Sequence, residues 1–87
     1  MESSLSKKIR VYLEKKNWLV IKVNLCSMNG YPDLTLIDPF GKIVFIESKS
    51  EGKKARPLQE YVHKLLREHN CTVHVIDTWD KFKALNL

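Results

Sequence analysis

Long apolar runs are missing from this 87-residue chain. The longest, Trp18-Leu19-Val20-Ile21 and Ile43-Val44-Phe45-Ile46, fall far short of the roughly 20 apolar residues that a membrane-spanning helix needs. Behind Met1-Glu2-Ser3-Ser4 comes a charged amphipathic stretch and not an apolar core, so the start does not read as a secretory signal. Cysteine is scarce as well. Cys26 and Cys71 are the only two, and neither has a Cys or His neighbour at zinc-ligand spacing. Both are expected to be reduced, and to serve as small apolar residues at strand ends. Glycine and proline number three each, and the chain carries no repeat and no low-complexity segment.

What remains is the composition of one small soluble domain, 44% apolar and 29% charged. A chain this short buries a modest core, so pairing with a second copy would help it. Fifteen Lys and Arg stand against ten Asp and Glu, a net charge of +5. That excess favours an anionic partner through long-range attraction and counterion release. Its distribution says more than its sum. Lys53, Lys54 and Arg56 directly follow Glu47-Ser48-Lys49, whereas Lys7, Lys8, Arg10, Lys15 and Lys16 read as the solvated face of a first helix.

That helix is expected over 3–16, with Leu5, Ile9, Tyr12 and Leu13 on its apolar side and Asn17 ending it. Residues 18–23 are rich in β-branched and aromatic side chains and predict a strand. A polar loop leads to two further strands, 34–37 and 43–46, around Asp38-Pro39-Phe40-Gly41. Asp first, Pro second and Gly fourth fit a type I turn, and a left-handed Gly41 would complete a three-residue hairpin loop with a bulge. After a basic loop, Pro57 suits the first turn of a second helix whose stripe is Leu58, Val62, Leu65 and Leu66, with Asn70 as its stop. A fourth strand over 72–76 and a short helix capped by Thr78 close the chain. The order α-β-β-β-α-β-α packs naturally as a mixed central sheet with helices on both sides.

The hairpin carries the chemistry. A loop of Pro39-Phe40-Gly41 pairs Asp38 with Lys42, and the same register sets Asp33 opposite Glu47. Opposed residues have Cβ atoms about 4.5–5.5 Å apart, and like charges there repel. Two facing carboxylates need a cation, and oxygen ligands favour Mg²⁺, Mn²⁺ or Ca²⁺ over zinc. Glu47 and Lys49 share a face because strand side chains alternate. A lysine there can orient or deprotonate a water and offset charge on a phosphate. Taken singly, each residue has a plainer explanation: Glu47 and Lys49 as a surface ion pair, Asp33 as a turn residue after Pro32. Together, behind an apolar run that predicts a strand buried on both faces, the charges call for a reason. Glu2 is either a further oxygen ligand or a favourable carboxylate at a helix start. Gln59 is either an amide donor to the site or a capping residue. His63, one turn on, reads as surface or packing, and His69 and His74 carry no signal.

These residues resemble the PD-(D/E)xK nuclease superfamily, and most closely the virus-type replication-repair nuclease (VRR-NUC) domain, over nearly the whole chain. The resemblance rests on Glu2 before the first helix, Gly30-Tyr31-Pro32-Asp33, Glu47-Ser48-Lys49, and Gln59 after a basic loop. It implies a restriction-endonuclease-like αβββαβ core in a single stand-alone domain over 1–87. It implies Mg²⁺- or Mn²⁺-dependent hydrolysis of DNA. Asp33, Glu47, the backbone carbonyl of Ser48 and Glu2 would be metal ligands, Lys49 the catalytic lysine and Gln59 the glutamine of the site, with Lys53, Lys54 and Arg56 toward the nucleic acid. Stand-alone members are similar to Holliday-junction resolvases, which implies branched DNA, a homodimer, and the cytoplasm of a bacterium or phage-infected host. Arg56 departs from the pattern, since relatives tend to have a small hydroxyl residue before the proline. Two other readings stand beside this one: a non-catalytic nucleic-acid-binding subunit, and an interaction module in which the charges are ion pairs.

Overall fold

The computed structural model describes residues 3–24 and 26–87. Its elements run α1 (Ser4–Glu14), β1 (Leu19–Lys22), β2 (Leu34–Ile37), β3 (Ile43–Ser48), α2 (Pro57–Glu68), β4 (Thr72–Ile76) and α3 (Trp79–Lys83). The sheet order is β1-β2-β3-β4. The first three strands are antiparallel and β4 runs parallel to β3. A parallel neighbour requires a crossover, and α2 is that crossover. The expected α/β architecture, a mixed four-stranded sheet flanked by helices, is the one observed.

Each helix starts where a cap places it. Ser3 accepts the Ser6 N–H at 3.1 Å and opens α1, and Thr78 accepts the Lys81 N–H and opens α3. Asn17 and Asn70 end their helices at a φ of 65°, a left-handed conformation that asparagine tolerates better than most residues. Ile9 and Leu13, four apart on α1, meet Leu34, Leu36, Val44, Ile46, Ile76 and Phe82 in the core. Burying each large aliphatic side chain contributes about 1.5–3 kcal/mol, so this face of the sheet, under α1 and α3, holds most of the stability. The opposite face is covered by α2, through Val62 and His63. The stripe expected from Leu58 starts one turn later. Leu58 is 52% exposed, because the first turn of α2 faces the basic loop and the Gly30 loop and not the sheet.

The β2–β3 hairpin has the predicted register, Leu34↔Ile46 through Ile37↔Ile43. Gly41 has φ 89°, and its N–H donates to the Asp38 carbonyl at 3.0 Å. The Asp38 carboxylate also accepts the N–H groups of Phe40 and Lys42, both at 2.8 Å. Strand β3 runs two residues beyond the expected 43–46, because β4 continues to pair with Glu47 and Ser48. The strand is buried on both faces, Val44 through Glu47.

Gly30 has a role that the sequence did not specify. Its φ is +88°, and a Cβ there would lie 2.9 Å from the Leu58 carbonyl oxygen, in the first turn of α2. The loop ahead of β2 is thus pressed against the helix start. Tyr31 then packs edge-on against Phe45 at 5.6 Å, and Pro32 is fully buried. Gly41, by contrast, has no atom within 4 Å of a hypothetical Cβ. Gly30→Ala is therefore expected to cost more than Gly41→Ala. The second incurs only left-handed strain of about 1–2 kcal/mol, and the first adds a backbone clash. Thermal melts should show the Gly30 variant losing several degrees more; equal losses would contradict the close packing of this loop.

Candidate functional site

The predicted residues meet where the start of β2 lies beside the end of β3. Asp33 sits one residue beyond the last paired rung, Leu34↔Ile46. Its carbonyl accepts the Val23 N–H at 2.8 Å. Its carboxylate does not simply face Glu47 across the ladder, as the register alone suggests. Instead it turns onto Ser48, with Oδ1 accepting the Ser48 N–H at 2.9 Å and Oδ2 accepting the Ser48 hydroxyl at 2.7 Å. Pro32 has no N–H of its own for the ladder, and the Asp33 side chain ties β2 to β3 at that point. The Ser48 hydroxyl is in turn 2.6 Å from that of Ser6, a fully buried residue of α1. With the Ser48 proton committed to Asp33, Ser6 is the donor in that contact. A chain Ser6–Ser48–Asp33 so anchors the carboxylate to the first helix. Each carboxylate oxygen keeps a free lone pair.

Glu47 is in the opposite situation. It is 5% exposed, and its Oε1 is buried with no hydrogen-bond partner among the described residues. Burial, with Asp33 nearby, pushes its carboxyl up from the usual 4.5 to about 7, while Lys49 and Lys22 pull it partly back. Lys49 follows on the same face of the strand, half-buried, its N–H donating to the Ile76 carbonyl at 2.9 Å. Asp33, Glu47 and Lys49 are thereby brought together as expected. The fit for a divalent cation is one of chemistry. Asp33 is an anchored carboxylate with free lone pairs, and Glu47 is a second one whose ionisation burial and repulsion oppose, so a cation beside the pair turns that cost into a gain. Among the described residues no group of three His, Cys, Asp or Glu side chains could hold a metal ion. Glu2 lies outside the described residues.

Gln59 takes the capping role. Its Oε1 accepts the Arg56 N–H at 2.9 Å, which leaves its amide nitrogen as the atom for any contact with a ligand. Arg56 is the N-cap but has no acceptor to offer the helix, so only this half of a capping box forms. Lys49, Lys53, Lys54 and Arg56 line one open groove with Ser48 and Ser50, which puts the basic loop beside Ser48, the residue that holds Asp33. Both cysteines are free. Cys71 precedes β4 as expected, but Cys26 is exposed in the β1–β2 loop, away from any strand end.

Besides Ser6, two residues at the site were not foreseen. Lys22 places its Nζ 3.9 Å from Asp33 Oδ2. His63, expected as surface or packing, is 1% exposed, with its Nε2 3.8 Å from Glu47 Oε1. Burial lowers its pKa, and Arg67 and Lys49 add to the effect. The β1–β2 connection is long and fixes no register, so the sequence could not bring Lys22 to Asp33. His63 follows from helix periodicity only once α2 is known to lie over β3.

The raised Glu47 pKa gives a pH signature to the metal-free protein. Below pH 4.5 the carboxyl is protonated in folded and unfolded chains alike, and no penalty applies. As pH rises the unfolded chain ionises first, so stability falls until the folded carboxyl ionises near 7. The total loss is roughly 3 kcal/mol. With a chelator present, Glu47→Gln should match wild type at pH 4 and melt several degrees higher at pH 8. Parallel pH profiles for the two proteins would contradict the buried, unpaired state of Glu47.

No family model matches the chain. A phage protein described as "Putative nuclease p44", from Acyrthosiphon pisum secondary endosymbiont phage 1, is 32% identical over 79 residues, covering 91% of this chain and 85% of that protein. A solved structure described as "VRR_NUC domain" superposes with a TM-score of 0.88 at 30% identity, over 97% of this chain and 91% of its own. Likeness in both sequence and backbone along almost the full length makes this chain a member of the VRR-NUC domain family.

Proposed function

We propose that the protein is a metal-dependent DNA endonuclease that hydrolyses phosphodiester bonds in branched DNA, in the manner of a Holliday-junction resolvase. The coarser statement, a nuclease, is supported by the family and by the phage relative. The observation that carries the metal-dependent reading is Glu47. A carboxylate held at the end of a buried strand, beside Asp33, is poor design for stability and good design for a cation. Asp33, Glu47 and the Ser48 carbonyl would hold Mg²⁺ or Mn²⁺, with Glu2 as a further ligand. The ion would polarise the scissile phosphate and make bound water more acidic.

The chain's own groups do the rest. Ser48 and Ser6 fix the Asp33 carboxylate, so little rearrangement is needed when substrate arrives. Lys49, on the face of Glu47, orients or deprotonates the attacking water and offsets charge on the phosphate. The Gln59 amide nitrogen supplies a donor at the rim. Lys53, Lys54 and Arg56 take neighbouring phosphates of the strand, which adds affinity without reading sequence. Two symmetric cuts in a four-way junction require two active sites, hence a two-fold homodimer. A nuclease for flap, nicked or linear DNA uses the same residues, and substrate choice separates it from the resolvase. A non-catalytic nucleic-acid-binding subunit is the reading from another class, motivated by the net charge of +5. Among the described residues no helix is long and apolar enough to cross a membrane.

Two experiments test this. Wild type is incubated with Mg²⁺ or Mn²⁺ and four-way junctions, flaps, nicked duplex and single strands, beside Asp33→Ala, Glu47→Ala and Lys49→Ala. Wild type should cut junctions best, and each variant should lose at least about 100-fold in rate. Equal cutting by wild type and variants would reveal a contaminant. DNA binding without cleavage in either metal would favour the binding subunit. Separately, Lys53→Glu and Lys54→Glu should weaken junction binding and flatten its salt dependence by about one unit of slope each, leaving stabilisation by Mn²⁺ unchanged. Unaltered binding would remove the basic loop from the substrate path.

A further inference from the structure

Beneath the carboxylate pair, two buried polar atoms face each other, and neither has a hydrogen-bond partner among the described residues. They are Glu47 Oε1 and His63 Nε2, 3.8 Å apart. The separation is beyond hydrogen-bond range, and it is shorter than the two hydrogen bonds of about 2.8 Å each that a water lying in line between them needs. A shift of about 1 Å turns it into a direct bond. Buried polar atoms are almost always satisfied, and an exception calls for an explanation. A leucine or phenylalanine at this position would fill the space under β3 without leaving a nitrogen stranded.

Local signals in the chain fix where His63 falls. Pro57 and the Gln59–Arg56 cap set the start of α2. His63 falls one turn after Gln59, beside buried Val62, on the side of the helix that covers the sheet. An imidazole carries its N–H at Nε2 in one of its two neutral tautomers. With that proton on Nε2, both stranded atoms are satisfied together.

We propose that His63 is a positioning residue for Glu47, its Nε2–H holding Oε1 so that Oε2 is presented to a divalent cation. This rests on the reading of Glu47 as a cation ligand. Ligating carboxylates are commonly held by such an outer partner, and losing it typically weakens metal affinity about 10–100-fold. Asp33 already has its counterpart in Ser48. His63 gives Glu47 the same support from the other side of the sheet, and the two carboxylates are then oriented independently.

The test uses the full chain with Mn²⁺ as the probe, read by melting temperature against metal concentration. His63→Leu should fold, and should need about 10–100-fold more Mn²⁺ for half-maximal stabilisation. His63→Gln, which keeps an N–H donor, should recover most of that loss, which a role in packing alone would not produce. Nitrogen NMR of the metal-free wild type should find the ring protonated at Nε2, a readout that survives even if the leucine variant does not fold. The proposal is overturned by an Nδ1-protonated ring, or by His63→Leu keeping the wild-type Mn²⁺ midpoint. A wild type that Mn²⁺ does not stabilise at all overturns Glu47 as a ligand and this proposal with it. A stabilised wild type with an unchanged leucine variant overturns this proposal alone.

Discussion

At the end of strand β3, Ser48 gives both its backbone N–H and its hydroxyl to the Asp33 carboxylate. Much of the arrangement depends on this pair of bonds. They join the start of β2 to the end of β3 where the backbone ladder has stopped. Through Ser6 they reach α1, so the helix that packs under the sheet also braces the site. They orient Asp33 before any ligand arrives. A hydrogen bond to a charged carboxylate is worth more than a neutral one, about 1.5–3 kcal/mol, and this residue has two.

Glu47 supplies the complementary tension. The sheet buries it between β2 and β4 and gives its Oε1 no hydrogen-bond partner among the described residues. A core optimised for stability alone would put an apolar residue there. The strain is confined: Val44 and Ile46, on the other face of the same strand, pack tightly against α1 and α3. One face of β3 thus stabilises the fold while the other presents the charged candidate residues. Local cost at a site, offset by a well-packed core elsewhere, is the usual signature of a functional position.

Membership in the VRR-NUC family fits this division. The long strand β3 ends in Glu47 and Ser48, with Lys49 directly after it, and alternation sends Ser48 toward α1 and the two charged residues toward α2. The intervening Ser48 is not a spacer. Its side chain holds Asp33, so the triplet and the Gly30-Tyr31-Pro32-Asp33 segment act as one unit. That segment is fixed in its own right, by the close approach of Gly30 to α2, by Tyr31 on Phe45 and by the buried Pro32.

Local rules made much of this readable from the chain. The Asp38-Pro39-Phe40-Gly41 turn set the β2–β3 register, because a tight turn leaves only one pairing. Periodicity placed α1 and α2, and the apolar run ahead of Glu47 announced a strand buried on both sides. Asp33, Glu47 and Lys49 were therefore legible as neighbours. Distance along the chain hid the rest. Lys22 reaches Asp33 across a loop that specifies no register, Ser6 reaches Ser48 across 42 residues, and His63 reaches Glu47 only because α2 crosses over β3. The sequence by itself determined that β2 pairs with β3 in one register and which charges that pairing brings together, since turns and alternation act between near neighbours. The tertiary structure alone decided which way Asp33 turns, how deeply Glu47 is buried and what lies beneath it, because those depend on where helices from distant segments come to rest.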